Sequence, residues 1–398
     1  MFEEKIIVPI LASLDKCYGC AACSNVCPKK CIEMRNNEYG ECRPIVDLRS
    51  CVNCGQCTKV CAALKEPSLF EPLDVYAMTM SDENRKTGCA SGGAARLFYE
   101  EALANGSVVF GCDFDEKYIL RMRSASEIKE IEGFRNSKYT FCRMDQCYNE
   151  IKNLLKKHIP VLFIGSSCQV YALKCFLGDN QNGLLTVDLV CHGVPPERYF
   201  YEYVQHQNIL LGKKIEKIQF REGEKSKDYR MRFYSEETCI YDVYAREDPF
   251  FAGYVNYAIF EEKCYNCPFA KAERVSDISI GDWWGPSQLS ASKLSLILVN
   301  SKHGQEFISP LLSHSDALFE IHILQEAIKY NEQLRGASPL PTQYFEMRKC
   351  YKENGFMMAS KKYIQPYIKS YHQKNRKQKI WQIMLLPFRI LRRIKRMV

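Results

Sequence analysis

The chain has 398 residues, of which 46% are hydrophobic and 26% charged, with a formal net charge of +8 and twenty-one cysteines. That length predicts two or three domains with an ample core, and the composition is ordinary for a globular protein. Nine of the positive charges lie in the last twenty-five residues, 374–398, with no acid among them, which leaves the other 373 residues at −1. A general nucleic-acid surface is therefore not expected.

The first unit, residues 1–68, carries two cysteine runs of the same spacing, CYGCAACSNVCP at 17–28 and CVNCGQCTKVCA at 51–62. Each reads C-x2-C-x2-C-x3-C, the bacterial ferredoxin pattern, in which three close thiolates hold one 4Fe–4S cluster and the fourth ligates the other. The spacing assigns Cys17, Cys20, Cys23 and Cys61 to one cluster, and Cys51, Cys54, Cys57 and Cys27 to a second. Pro28 follows Cys27 as the pattern expects; Ala62 stands at the matching place in the second run and removes no ligand. Zinc sites take four ligands, commonly in two pairs, and eight cysteines in a doubled pattern exceed that need. Iron–sulfur ligands must be thiolates, and MFEEKIIVPILASLD does not read as a signal peptide, so a reducing cytoplasmic setting is expected rather than a disulfide framework. Cys31 and Cys42 fall outside the spacing and are read as packing thiols.

From about 70 to 340, strand-like segments at 75–78, 107–114, 161–165, 184–190 and 278–284 alternate with helix-like segments at 93–105, 148–158 and 169–177. Such alternation predicts an α/β fold, α+β once the small first unit is counted, with a mostly parallel or mixed sheet and an internal boundary near 150–160. Residues 215–222 and 229–236 read as an added antiparallel hairpin. Cys168 follows the apolar VLFIG and Cys191 follows LLTVDLV. Parallel strands deliver their carboxyl ends to one edge, where open α/β sheets bind ligands. Cys264 and Cys267 form a C-x2-C pair on a loop and complete the four thiols a cubane needs. A cysteine at a strand end is equally a small apolar filler, and a lone C-x2-C can be a redox dithiol. Cys89, Cys112, Cys142, Cys147, Cys175, Cys239 and Cys350 lack metal-ligand spacing and receive no role.

KTGCASGGAARLF at 86–98, NSKYTFC at 136–142, VLFIGSSCQVYALK at 161–174, VDLVCHGVPP at 187–196, KCYNCPFA at 263–270 and DISIGDWWG at 277–285 occur in this order. Together they resemble the beta subunit of coenzyme F420-reducing hydrogenase and formate dehydrogenase, a family that includes bacterial and plant relatives. The resemblance covers roughly residues 75–310, and a ferredoxin module in front is a familiar arrangement in that family. It implies a bound FAD beside a third 4Fe–4S cluster, with Cys168, Cys191, Cys264 and Cys267 as ligands. GSSCQ departs from the more usual GTPCQ, with Ser167 in place of Pro. The resemblance also makes Ser91, Gly92 and Gly93, ahead of a helix, the contact for the flavin diphosphate, with Lys138 as a further contact. Free N–H groups at a helix start suit an anion, and glycine permits close backbone approach. Without the resemblance, Ser91 reads as an N-cap and the glycines as a turn. No G-x-G-x-x-G follows a strand, so NAD is disfavoured.

The expected function is an iron–sulfur flavoprotein oxidoreductase that passes electrons between clusters and an FAD, which reduces or oxidises a small organic substrate. A redox partner protein, such as a ferredoxin or an oxidoreductase subunit, is implied. The alternative is a non-catalytic electron-transfer subunit of a larger complex. No Ser/His/Asp or paired-carboxylate constellation stands out, so no catalytic residue is assigned. His192 and Asp282 read as cofactor contacts or as loop-fixing groups, and Trp283 and Trp284 as core or cofactor wall. The last part, 345–398, reads as a basic helical tail. Its apolar run is interrupted by Pro387 and too short to span a bilayer. Beyond Pro387, apolar Phe388, Leu391, Ile394 and Val398 oppose Arg389, Arg392, Arg393 and Arg396. That pattern suits peripheral contact with the inner face of the cell membrane, in keeping with envelope or polysaccharide metabolism, or docking to a protein.

Overall fold

The computed structural model describes residues 9–221, 229–289, 293–313 and 316–377. In the first unit each cysteine run enters a one-turn helix, Ala22–Val26 or Gln56–Val60, through a left-handed residue, Ala21 (φ 60) or Gly55 (φ 73). An antiparallel hairpin, β1 (Ile32–Asn36) and β2 (Cys42–Val46), separates the two runs. The unit's own apolar core is little more than Cys23, Cys31, Ile32 and Cys57. Ala21, Ala22, Val60 and Ala62 bury instead against the larger unit, in the cluster that holds Tyr148, Tyr171 and Leu173.

The larger unit is built on a nine-stranded sheet. Its strands are β3 (Asp74–Met80), β4 (Val108–Phe114), β5 (Leu120–Ala125), β6 (Cys142–Arg143), β7 (Val161–Ser166), β8 (Leu184–Leu189), β12 (Ile278–Asp282), β13 (Ser295–Val299) and β14 (Ala317–His322), in the order β14-β3-β13-β12-β8-β7-β4-β5-β6. The pairs β4–β7, β7–β8, β8–β12 and β5–β6 are parallel; β4–β5, β12–β13, β3–β13 and β3–β14 are antiparallel. The sheet is therefore mixed, not mostly parallel. Antiparallel neighbours need no crossover helix, so β5, which follows β4 directly, left no strand–helix alternation to read, whereas the helix Lys302–Leu311 separates β13 from β14. Helices Ala94–Ala104, Cys147–Lys156 and Ser167–Leu177 form where helical segments were expected. Leu97 and Phe98 of the first pack on Val109, Ile164 and Val187 of the sheet.

A second layer caps the sheet's carboxyl edge. The 215–236 hairpin is part of a three-stranded sheet, β9 (Lys217–Phe220), β10 (Arg230–Ser235) and β11 (Thr238–Tyr244). With helices Glu197–Leu211, Pro249–Val255 and Tyr344–Tyr363 it encloses an aromatic core around Phe200, Tyr203, Phe220, Phe233, Phe250 and Phe356. The segment from 345 is thus not a tail throughout. Tyr344, Met347, Tyr351, Phe356, Ala359 and Ile364 bury into the cap, with a kink at Gly355 (φ 76, ψ 176). Residues 378–398, with the amphipathic pattern beyond Pro387, lie outside the described residues. Among the described residues no helix is long and apolar enough to cross a membrane.

One buried ionic network joins these parts. Arg43 of the first unit reaches Glu41 at 3.3 Å and Glu261 at 3.0 Å; Lys263 also pairs with Glu261, and Arg348 with Glu41. Every member is at most 10% exposed.

Candidate functional site: three cysteine groups and a cavity

The thiols of the first unit group across the two runs. Burial raises the Cys17, Cys20 and Cys23 thiols, and Cys61 of the second run is a charged neighbour that adds to each rise. Cys27 of the first run lines a small cavity with Cys51, Cys54 and Cys57. Cys31, read as packing, lies in the same cavity with its Sγ 3.4 Å from that of Cys27. Cys42 is buried. Cys54 is exposed, so the second group meets the surface.

The third set comes from three loops. Ser166 caps the Ser167–Leu177 helix, its N–H donating to Gln169 Oε1 at 2.9 Å, and this places Cys168 in the first turn. Cys191 follows β8, and Cys264 lies in the turn Glu262–Tyr265. Burial pushes Cys191 up to about 12, with Cys168 and Cys267 adding to the rise. Burial likewise pushes Cys267 up to about 11, with Cys168 adding. Cys264 is raised by burial, with Cys191 and Cys267 among its charged neighbours. The four thiols are therefore near one another. Among the described residues no three His, Cys, Asp or Glu side chains converge as a single metal ion requires. A cubane makes a different demand, because its four thiolates surround a multi-atom cluster.

The first and third sets adjoin. Tyr18, between Cys17 and Cys20, has its hydroxyl pKa raised by burial and then by Cys168 and Cys267. Its ring meets Phe269 at 5.9 Å, and Lys263 Nζ donates to its carbonyl at 3.1 Å. No cysteine spacing announces Tyr18 or Lys263; only the docking of the first unit on the Cys264 loop brings them together.

Beside this junction opens a cavity of about 940 Å³, within the range of cofactor pockets. Cys20, Cys168 and Cys191 line it, and so do Ser91, Gly93 and Lys138. Gly92 does not; a Cβ there would stand 2.1 Å from Met78 O, so its glycine serves strand packing. Gly93, at φ 97, is the residue from which the Ala94–Ala104 helix starts. Ser91 is not the N-cap: its hydroxyl donates to Leu294 O at 2.6 Å. Lys138 Nζ donates to Arg135 O at 2.7 Å and keeps further hydrogens for an anion. A left-handed glycine at a helix start and one ammonium lining the same cavity fit a flavin diphosphate, although Ala94 N–H already donates to Ser295 Oγ at 3.4 Å and the Ser91 proton is engaged.

Sequence spacing also missed Cys112 and Cys142, which line this cavity. A hydrogen bond from Cys142 lowers the Cys112 thiol to about 7. Farther out, Arg221 (φ 59) pairs through Nη1 with both Asp282 oxygens, at 3.0 and 2.8 Å, and lies 4.5 Å from the centre of the Tyr229 ring. The Gln333 side-chain amide lies in hydrogen-bond contact with His192 Nδ1. Trp284 lines the cavity, whereas Trp283 is core.

Residues 160–319 match the family described as the carboxy-terminal part of the coenzyme F420 hydrogenase/dehydrogenase beta subunit. The chain is 22% identical over 187 residues to a component of the F(420)H(2) dehydrogenase of Methanosarcina mazei, a match that covers 44% of this chain and 53% of that protein. It thus spans about half the length of that curated relative. A chain of the F420-reducing NiFe hydrogenase complex from Methanosarcina barkeri aligns over 75% of this chain and 93% of its own, at 17% identity and a TM-score of 0.46.

Proposed function

We propose, from the premise that residues 160–319 belong to the coenzyme F420 hydrogenase/dehydrogenase beta-subunit family, that this chain is an FAD- and 4Fe–4S-dependent oxidoreductase acting on a small organic substrate. One observation carries the reading. Cysteine groups succeed one another from the exposed Cys54, through the Cys17 group, to Cys168 and Cys191 on the wall of the cavity that the Gly93 turn also lines. Clusters and flavin, when bound, supply one-electron transfer and its conversion to hydride-equivalent pairs. The chain's own groups do the rest. Cys17, Cys20, Cys23 and Cys61, then Cys27, Cys51, Cys54 and Cys57, then Cys168, Cys191, Cys264 and Cys267, each hold one cluster. Gly93 and the helix behind it, with Lys138, hold the flavin diphosphate. An electron-carrier protein of the ferredoxin kind, or another protein of a larger redox complex, meets the Cys54 face.

A non-catalytic electron-transfer role within such a complex is the second reading. The cavity favours the first, because its lining continues beyond the Gly93 turn to Arg221, Tyr257 and Trp284. That leaves polar and aromatic wall for a substrate.

The test is anaerobic purification with iron, sulfide and flavin measured on one sample. About twelve irons, four per cubane, together with stoichiometric FAD are expected. About eight irons would remove the third cluster, and a folded but flavin-free protein would overturn the oxidoreductase reading.

A further inference from the structure

Arg274 lies outside every cysteine motif, and its side chain is 1% exposed. Its two terminal nitrogens donate to the loops of the third cysteine set, and Nε to the neighbouring strand. Nη2 reaches Ser167 Oγ at 2.9 Å, the residue before Cys168. The same nitrogen reaches Asp188 Oδ2 at 2.8 Å and Leu189 O at 3.2 Å, just ahead of Cys191. Nη1 donates to Phe269 O at 3.0 Å and Lys271 O at 3.1 Å, just after Cys267. Nε donates to Ser279 Oγ at 3.0 Å on β12. The backbone is fixed as well. Arg274 N donates to Phe70 O at 2.8 Å and Phe70 N to Arg274 O at 2.7 Å, on the segment that leaves the first unit after Cys61.

These contacts bear on how a cluster site could be kept. The loops that carry Cys168, Cys191 and Cys267 are far apart in the chain, and like charges brought together repel. Three loops held at fixed spacing before iron arrives avoid the entropy of ordering them at binding. A planar guanidinium with five N–H donors can bond to three loops at once, whereas an ammonium is a point charge on a flexible stem. Asp188 supplies the counter-charge that lets the guanidinium stay buried.

We infer that Arg274 is the positioning residue of the third cluster site, pinning the Cys168, Cys191 and Cys267 loops to one another and to the exit of the first unit. The inference rests on the third-cluster reading above and adds a residue that no cysteine pattern assigns. Arg274 touches no substrate; it acts through the loops.

The experiment compares the full chain with Arg274→Lys and Ser167→Ala, all purified anaerobically. Iron is counted, the reduced clusters are recorded by electron paramagnetic resonance, and iron release to a chelator is timed. Arg274→Lys is expected to fall from about twelve irons to about eight, with the resonance signals of the two N-terminal clusters retained. Ser167→Ala removes one acceptor and leaves the buried ion pair, so it should fold; it is expected to release about four irons several-fold faster than wild type. A lower unfolding midpoint with the full iron count and unchanged signals in Arg274→Lys would mark a merely structural role and overturn the inference. So would wild-type iron release from Ser167→Ala, whether or not the lysine variant folds. Only about eight irons in the unmutated chain would instead remove the third cluster itself, and the inference with it.

Discussion

Cys61 belongs by sequence to the second cysteine run, yet its charged neighbours are Cys17, Cys20 and Cys23. Replacing Cys61 with Ala is therefore expected to remove the cluster of the first run and to spare that of Cys51, Cys54 and Cys57. Resonance spectra of the reduced variant check this, and loss of the second cluster alone would contradict it. Cys112 makes a different point. Its thiol is lowered to about 7 by the hydrogen bond from Cys142, while burial raises Cys142. The pair shares its protons, so the first is lost near neutrality and the second far above it. Thiolate is the reactive form and increases as pH rises through the lowered value. Alkylation of the Cys112–Cys142 pair in flavin-free protein, followed by peptide mass spectrometry, should begin to climb below the ordinary thiol range. A climb only near pH 9 would refute it.

Among the elements, the turn before helix Ala94–Ala104 shows how two adjacent glycines serve different ends. Gly92 lets the chain pass against β3, where a Cβ would meet Met78 O at 2.1 Å and Ser295 N at 2.7 Å. Gly93 supplies φ 97, which begins the helix at the cavity wall. Gly93→Ala forces an L-residue into left-handed backbone at a cost of about 1–2 kcal/mol. We expect it to lower FAD retention on gel filtration more than it lowers the unfolding midpoint. Wild-type retention would separate this turn from the flavin. A similar division holds at β7: its apolar run buries in the sheet, while the capping box beginning at Ser166 turns the chain so that Cys168 opens the next helix.

At the scale of the whole molecule, the first unit, the Cys264 loop and helix Tyr344–Tyr363 meet at the buried network of Glu41, Arg43, Glu261, Lys263 and Arg348. Glu261 is the shared acid: burial opposes its ionisation, and Arg43 and Lys263 outweigh that, holding the carboxyl below its usual range. Glu261→Gln takes the carboxylate from buried Lys263 and leaves Arg43 only Glu41, which Arg348 shares. Breaking such a pair costs about 3–5 kcal/mol, which chemical denaturation of the anaerobic protein would measure. The expected accompaniment is weaker docking of the first unit, read as protease cleavage near residue 70. A variant as stable as wild type would show that the network does not hold the parts together.

The cysteine spacing by itself pointed to two N-terminal thiol groups that each take one cysteine from the other run, and the fold sets Cys61 near Cys17, Cys20 and Cys23, and Cys27 near Cys51, Cys54 and Cys57. Apolar runs bounded by turns likewise located β3, β4, β7, β8 and β12 and the three helices among them, since local burial periodicity is carried by neighbours in sequence. The sequence did not reveal β5, which returns along β4 through a short turn, or β13 and β14, which pair with the distant β3, or that residues 344–364 belong to the cap. It showed Ser91 beside a helix start, but only the fold placed Leu294 where it takes that hydroxyl proton. Cys168, Cys191, Cys264 and Cys267 could be named from motifs; their approach to Tyr18, and the six acceptors gathered round Arg274, depend on strand order and unit docking. Those contacts join residues far apart in the chain. No local pattern encodes them, and burial of a single guanidinium among three loops exists only once the sheet, the cap and the first unit have closed together.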